Sequence, residues 1–591
     1  MREQSKKAAE TFGYFSRTIL ILASAGKIYL VCIVVFAVFF GVLPSISILI
    51  MQAIMNALQT ADRSLEFIIG LVAIYIGIDL FSAFLRLISG HIESTLQMKA
   101  SVTLNLSVLQ KVESLSLKDF ENSETYNLIQ RAVGTNINLL FSFFKSFVTV
   151  FQSLITLIMF SIILFSWRWW MLPVVLFMPI VSTFVTALLG KKQFLVQKKR
   201  TGKERKKWYY QFLLTNDIAF KEVKIFKLGD YFRSKYKYLS LEFLKQDRRL
   251  LNQRTGAMSL ITLADQAISA VLYVYIILQA FAANILLGDL VTYSRSISNV
   301  KSSSQGLLAQ IGSIYQNTLQ ISLYFDFIEM ETDKDKLIDQ QPLSEVPYIE
   351  MRNLSYKYES KSNYAIKNIN LRINTGSLVA FIGKNGSGKT TLIKILSTLY
   401  NDYEGDVYFG NKNLRDIHAD EVQKKVGLLF QDFVKYELSV KENVALGQLD
   451  KIDNNDAIYQ ALSRTNLQER FHDLETQLGS WFEGGTQLSG GEWLRIALSR
   501  AFIRNAEIYL LDEPNSALDA TSEGQILKSF KELTKGKIGI LVSHRIASIK
   551  NIADTIIVFD NGEIQAAGTH EELMKKSKTY IELYEQESGI A

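Results

Sequence analysis

The sequence predicts a chain of two unlike halves, a bundle of membrane-crossing helices followed by a soluble α/β domain. Three observations predict it. Long apolar runs with almost no charge fill residues 27 to about 320. A glycine-rich loop, Gly383-Lys384-Asn385-Gly386-Ser387-Gly388-Lys389-Thr390, stands between a short apolar segment, Leu378-Val379-Ala380-Phe381-Ile382, and a helically spaced one at 391–399. A second apolar segment, Ile508-Tyr509-Leu510-Leu511, ends at once in Asp512 and Glu513. At 591 residues the chain is too long for one domain. Its averages, 48% hydrophobic residues and a mean hydropathy of +0.12, hide the division.

The runs at 28–58, 67–90, 137–167 and 169–190 each reach the length of about 20 residues that a hydrocarbon core requires, and a fifth lies around 258–287. The first is too long for a cleavable signal, and further spans follow it. The net charge of +7 does not point to nucleic acid, because it is concentrated between Lys191 and Arg254, where 19 Lys/Arg stand against 6 Asp/Glu. The excess of cations on cytoplasmic loops places that segment, residues 91–136 and the basic N-terminus (Arg2, Lys6, Lys7) in the cytoplasm. Residues 59–66 and 167–170 then face outside, and Trp167, Trp169 and Trp170 suit an interfacial aromatic belt. The count of spans is therefore even with both termini inside, and six is expected, the last near 293–324. Cys32 is the single cysteine and excludes an internal disulfide. Asp79, inside the second span, and Arg86, two turns on along the same face, are expected either to face a translocation cavity or to make a polar helix–helix contact.

Both cytoplasmic segments keep a helical pattern, and the chain holds only 6 prolines, so the spans are expected to run well beyond the bilayer as helices. Pro342 and Pro347 follow a charged stretch and mark a linker. The expected division is a cytoplasmic segment at 1–26, the membrane domain at 27–325, the linker at 326–347 and the soluble domain at 348–591. Residues 348–358 and 366–373 alternate like strands, and 538–542 form another apolar run.

The loop at 383–390 fits G-x-x-x-x-G-K-[ST] in the strand–loop–helix setting that this motif needs. Its glycines let backbone N–H groups close around a polyphosphate, and the helix start adds a favourable field. Lys389 would reach the β/γ-phosphates and Thr390 would place its hydroxyl on Mg²⁺. Asp512, closing an apolar strand, is placed to hold the same ion, and Glu513 to orient or deprotonate the attacking water. Between them, Leu488-Ser489-Gly490-Gly491-Glu492 opens a helix and offers a second anion site. One domain with two anion sites suggests that paired domains sandwich each nucleotide.

In this order, these motifs resemble the nucleotide-binding domain of ABC transporters. The resemblance implies that Tyr358 stacks on the adenine of ATP and that Gly383, Lys384, Asn385, Gly386, Ser387, Gly388, Lys389, Thr390 and Thr391 cradle its phosphates. It further implies that Gln431, with Thr390 and Asp512, contacts Mg²⁺. Ser489, Gly490, Gly491 and Glu492 would face the γ-phosphate held by a second copy, and Asp519, in Ser516-Ala517-Leu518-Asp519, would belong to the loop beside it. Glu513 and His544 would be the catalytic pair, His544 holding the γ-phosphate. Three residues depart from the family pattern: Glu492 where Gln is usual, Lys384 where a small residue is common, and Asn515 where Thr is frequent. None removes a catalytic group.

Spans fused ahead of one such domain resemble a half-size exporter of the type I / type IV fold, with two coupling helices expected at 119–127 and 215–221, although plain amphipathic loops would fit those positions as well. Trp208-Tyr209-Tyr210, Leu213-Leu214-Thr215-Asn216-Asp217, Phe220-Lys221-Glu222-Val223-Lys224, Phe430-Gln431-Asp432-Phe433-Val434-Lys435-Tyr436-Glu437-Leu438 and Leu478-Gly479-Ser480-Trp481-Phe482-Glu483 look like the subgroup that exports lantibiotic-type peptides. That resemblance implies a homodimer in the cell membrane, in contact with lipid, a peptide cargo that carries a leader, and peptide-modifying enzymes as further partners. The alternative is a multidrug or lipid exporter with the same machinery. About 26 residues precede the first span, with neither Cys nor His, so a leader peptide is expected to be cleaved elsewhere.

Overall fold

The computed structural model describes residues 2–60, 63–122, 125, 128–129, 137–332, 343, 345–359, 362–515 and 518–588. The chain forms two compact units, one of Met1–Glu113 with Glu124–Met330 and one of Ser114–Ser123 with Glu331–Ala591.

The first unit is a bundle of long helices. They are α1 (Arg2–Thr60), α2 (Leu65–Glu113), α4 (Ile137–Trp167), α5 (Met171–Thr215), the short α6 (Asp217–Ile225), α7 (Gly229–Phe281) and α8 (Leu287–Ile328); α3 (Leu117–Glu121) belongs to the second unit. Among the described residues, five of the long helices are apolar and long enough to cross a membrane. At 49 and 53 residues, α2 and α7 extend to about 73 and 80 Å, more than twice the hydrocarbon thickness, so the expected overrun beyond the bilayer is present. α1 is two helical pieces meeting at Gly26, where the backbone is extended.

α8 packs against α1, α4 and α5. That position accounts for its polar sequence: Thr292, Ser296 and Ser304 are buried among its own turns and its neighbours, beside Ile297, Val300, Ile321 and Tyr324. The Ser296 hydroxyl donates to the Thr292 carbonyl (2.7 Å), so its polarity is met within the helix. Two of the tryptophans at 167–170 pack on tyrosine rings. Trp167 stacks on Tyr293 (4.0 Å, 2°) and Trp170 meets Tyr275 edge-on (5.4 Å), leaving Trp169 exposed. Asp79 and Arg86 are both exposed, and neither forms an ion pair among the described residues. α6 starts two residues later than the expected 215–221 and runs further. α3 overlaps the expected 119–127, of which 123, 124, 126 and 127 lie outside the described residues.

The second unit carries two sheets. β1 (Tyr348–Tyr356), β2 (Ile366–Asn374), β4 (Glu404–Phe409) and β5 (Lys412–Asn413) form an antiparallel sheet in the order β2-β1-β4-β5. The other runs β10-β9-β3-β8-β7-β6, built from β3 (Leu378–Gly383), β6 (Val426–Leu429), β7 (Ile508–Asp512), β8 (Ile538–Val542), β9 (Thr555–Asp560) and β10 (Glu563–Gly568). All its pairs are parallel except β9–β10. Every residue of β3, β7 and β8 is buried, as expected of central parallel strands covered on both faces. Phe381, Ile540 and Phe559 pack toward the antiparallel sheet side, and Ala380, Tyr509 and Leu541 pack against the helix Gly490–Phe502. The strand expected at 348–358 stops at Tyr356. Pro342 lies outside the described residues.

Candidate nucleotide site

Three adjacent strands deliver the loop at 383–390, Asp512 with Glu513, and His544 to one end of the parallel sheet. β3, β8 and β7 lie side by side, so the loops leaving their carboxyl ends converge, as open α/β sheets arrange their ligand sites.

In the first loop, Gly383, Gly386 and Gly388 have φ of 150°, 79° and 103°. A Cβ on Gly388 would stand 2.5 Å from the Ala365 carbonyl oxygen, and one on Gly383 2.1 Å from that of Phe559, so neither position admits a side chain. The helix Lys389–Leu396 begins at once, and its first-turn amides have no acceptor in their own helix. With the exposed turn Lys384, Asn385 and Gly386 they form an anion cup. Lys389, 6% exposed, lies across this cup, its Nζ donating to the carbonyls of Gly383 (2.8 Å) and Lys384 (3.0 Å) and to Ser387 Oγ (3.3 Å). Burial pulls its pKa down, while the Glu513 and Asp512 carboxylates pull it back up. The Thr391 hydroxyl shares a hydrogen bond with Tyr358 Oη (3.0 Å).

Asp512 closes β7 at 1% exposure, and neither carboxylate oxygen has a hydrogen-bond partner of good geometry. Burial pushes its pKa up, with the Thr390 hydroxyl, near it, pulling the other way. A buried carboxylate with two unpartnered oxygens is costly in the absence of a cation. With the Thr390 hydroxyl and the Gln431 amide it makes a hard oxygen donor set that fits Mg²⁺, an ion commonly bound by one or two carboxylates together with phosphate oxygens. Glu513 follows with φ of 51°, the left-handed region that a non-glycine residue enters only at a cost of about 1 kcal/mol or more. That backbone turn points the side chain, 9% exposed, at two other singled-out residues. Gln431 Nε2 donates to its Oε2 (2.8 Å), and His544 Nδ1 stands 3.4 Å from its Oε1.

Asn515, 2% exposed, explains its departure from the family pattern by its bonds. Its amide donates to Glu523 Oε1 (2.7 Å) and to Ser543 Oγ (3.4 Å), and Glu523 Oε2 accepts from Arg545 Nη1 (2.7 Å). The network straps the segment carrying His544 to the helix Ala520–Leu533. Ser489 caps the helix Gly490–Phe502: its hydroxyl accepts from the Glu492 N–H (3.2 Å) while Glu492 Oε2 accepts from the Ser489 N–H (2.8 Å). Glu492 Oε1 also pairs with Arg470 Nε (3.2 Å), which gives the acidic residue here a reason that Gln would lack. Among the described contacts none joins 489–492 to the phosphate loop. Asp519 stands at the N-cap of Ala520–Leu533, its carboxyl held below the usual range chiefly by the Ser522 hydroxyl; Ser516 and Ala517 lie outside the described residues.

A profile of the ABC transporter domain matches residues 366–516. The subtilin transport ATP-binding protein of Bacillus subtilis is 36% identical over 557 residues, 94% of this chain and 91% of that protein. The nisin transport ATP-binding protein of Lactococcus lactis subsp. lactis is 31% identical over 589 residues, 99% of this chain and 98% of its own. This chain belongs to the ABC transporter family. It is a half-size exporter, an ATPase coupled to transport. A putative multidrug export protein of Bacillus subtilis is 25% identical over 82% of the chain and 83% of its own length.

Some residues of the transporter that bear on its site escaped the sequence reading. Tyr400, Lys394 and Glu121 surround the Tyr358 side of the site, and Glu523 and Arg545 brace the His544 side. In the helical unit, Asp265 and Lys301 form an ion pair (2.6 Å) with both side chains mostly buried, whereas the sequence had drawn attention to Asp79 and Arg86. A carboxylate inside an apolar run was the available signal for Asp265.

Proposed function

We propose that this exporter moves a ribosomally made, lantibiotic-type peptide out of the cytoplasm, as a homodimer working by alternating access. The observation that carries the cargo reading is that two relatives covering more than nine-tenths of the chain are named for subtilin and nisin transport. In this reading the membrane domain spans 27–325 with six crossings, α8 being the sixth, the linker 326–347 follows, and the nucleotide-binding domain is 348–591. Both termini are cytoplasmic.

ATP would be held by Tyr358 and residues 383–391, with Mg²⁺ on Thr390, Gln431 and Asp512; the bound ion supplies charge neutralisation at the transferring phosphoryl group. Glu513 takes the proton of the attacking water. Its pairing with Gln431 and His544 fixes the carboxylate before the water arrives. Ser489, Gly490, Gly491, Glu492 and Asp519 of one copy close on the nucleotide of the other, so that two competent sites form. Closure favours one state of the spans, and loss of the γ-phosphate releases it.

The test is ATPase activity of the full chain in proteoliposomes, challenged with a leader-bearing precursor peptide, with lipids and with amphiphilic drugs. Stimulation by the peptide alone is the expected outcome. Stimulation by lipids or drugs without response to peptide replaces this reading with the multidrug or lipid one, which the multidrug-type relative keeps in play. Co-purification with peptide-modifying enzymes tests that further partnership.

A further inference from the structure

The short helix Ile546–Ile549 begins two residues after His544, and Arg545 at its start gives its first amides no side-chain acceptor. Such first-turn amides have no acceptor within their own helix either. Here the acceptor comes from the helix Lys578–Ser588. Glu587 Oε2 accepts from the Ile546 N–H (2.5 Å) and Oε1 from that of Ala547 (3.3 Å). A carboxylate 41 residues away in sequence thus does what a local cap would do, through bonds stronger than neutral ones.

The helix that supplies Glu587 is itself firmly seated. Tyr580 on it is buried in one core with Ile546, Ile549 and Leu573, and its hydroxyl meets His570 Nδ1 (2.6 Å). Lys550 Nζ, one turn along from Ile546, stands 3.4 Å from Tyr584 Oη and lies over that ring (5.5 Å). His544 has no comparable support, since its side chain is half exposed and packing does not hold it. Its place is set by the backbone on either side. Upstream, the Ser543 N–H donates to the Phe381 carbonyl (3.1 Å), and Ser543 Oγ accepts from the Arg545 N–H (3.0 Å). Downstream stands Ile546, two Cα steps or at most about 7.6 Å along the chain, fixed by Glu587.

We propose that Glu587 is a positioning residue for His544: by holding the Ile546 and Ala547 amides it fixes the downstream side of residues 543–545, and with it the reach of His544 toward the γ-phosphate. The inference rests on the reading that His544 holds that phosphate. With the carboxylate gone, the first turn of 546–549 loses its acceptor, and the peptide units between His544 and Ile546 are free to rotate. The imidazole then leaves the place where the γ-phosphate meets it, while the phosphate loop, built on β3, is untouched. A plain cap would change stability and leave the choice between triphosphate and diphosphate as it was.

The experiment titrates Mg²⁺-ATP and Mg²⁺-ADP against the full chain in nanodiscs, with Glu513→Gln in every sample so that ATP survives the measurement. In that background Glu587→Ala is expected to lower the preference for ATP over ADP by about fivefold or more, with ADP affinity held within about twofold. Glu587 is exposed, so the substitution empties no core. His544→Ala should give the same loss, and the two together no more than about twofold beyond either, as residues acting through one contact do. Glu587→Gln keeps one acceptor oxygen and should lose roughly half as much on a logarithmic scale, because bonds to a neutral acceptor are about half as strong. It serves if Glu587→Ala is poorly folded. A preference equal to that of the Glu513→Gln background in the Glu587 variants overturns the proposal. So does an ADP affinity that falls in step with that for ATP, or losses that multiply in the double variant. An unchanged preference in His544→Ala removes the γ-phosphate assignment instead, whatever Glu587 does.

Discussion

Glu513 occupies a backbone region that glycine enters freely and glutamate does not, and the sheet holds it there through its N–H bond to the Val542 carbonyl (3.0 Å). Strain kept at that position is consistent with a carboxylate that must point at one place. Glu513→Gln is expected to bind ATP normally and to lower phosphate release by about a hundredfold or more; turnover near the native rate in that variant assigns the base elsewhere. Glu492 gives a pH signature. The Ser489 N–H, followed by the Ser489 hydroxyl and Arg470, holds its carboxyl below the ordinary value of 4.5. Since the folded value lies below the unfolded one, the stabilisation is complete above the ordinary value and is lost as pH falls through the folded one. Glu492→Gln should therefore lower stability slightly at pH 7, by about 0.5 kcal/mol or less because the pair is solvent-screened, a difference in melting curves that shrinks as the pH is lowered below the ordinary carboxylate value. The identity of these residues was legible because each sits in a short local motif. The reason for Glu492 was not, since Arg470 lies 22 residues away and only the fold brings it near.

At the scale of elements, the strand–loop–helix at 378–396 was legible almost residue by residue, because β3 is uniformly apolar and its loop needs three glycines at positive φ. Gly388→Ala places a methyl group against the Ala365 carbonyl, and is expected to abolish nucleotide binding by equilibrium titration while the helical unit keeps its far-ultraviolet signal. α8 was less legible. Polar residues such as Ser296 and Lys301 find partners within the bundle, so hydropathy alone misses it. Lys301 on α8 meets Asp265 and Ser269 on α7, a pairing that no spacing rule along either helix announces. Lys301→Met leaves Asp265 buried without its partner and is expected to cost about 3–5 kcal/mol. Adding Asp265→Leu should recover more than half of that. The loss and recovery are read as shifts of the tryptophan-fluorescence melting curve in nanodiscs, and additive effects in the double variant would remove the coupling.

At the scale of the whole molecule, the division into a helical and an α/β half followed from composition, but the assignment of residues 114–123 to the α/β half did not, because a contiguous reading cannot see a short segment that leaves one unit for the other. If two copies close on shared nucleotide, subunit exchange between differently tagged copies of Glu513→Gln should slow by about tenfold or more when Mg²⁺ and ATP are added, since ligand bound across an interface stabilises it. Exchange that ignores nucleotide argues against the sandwich. The placement of α3 also sets a timetable for biosynthesis. Lys118 emerges from the ribosome 284 residues before Asp402, its partner. At about 5–20 residues per second that interval is roughly 15 to 60 s. During it the nascent chain must keep this stretch unpaired beside inserted helices, so maturation of the first half ends only when translation of the second is well advanced.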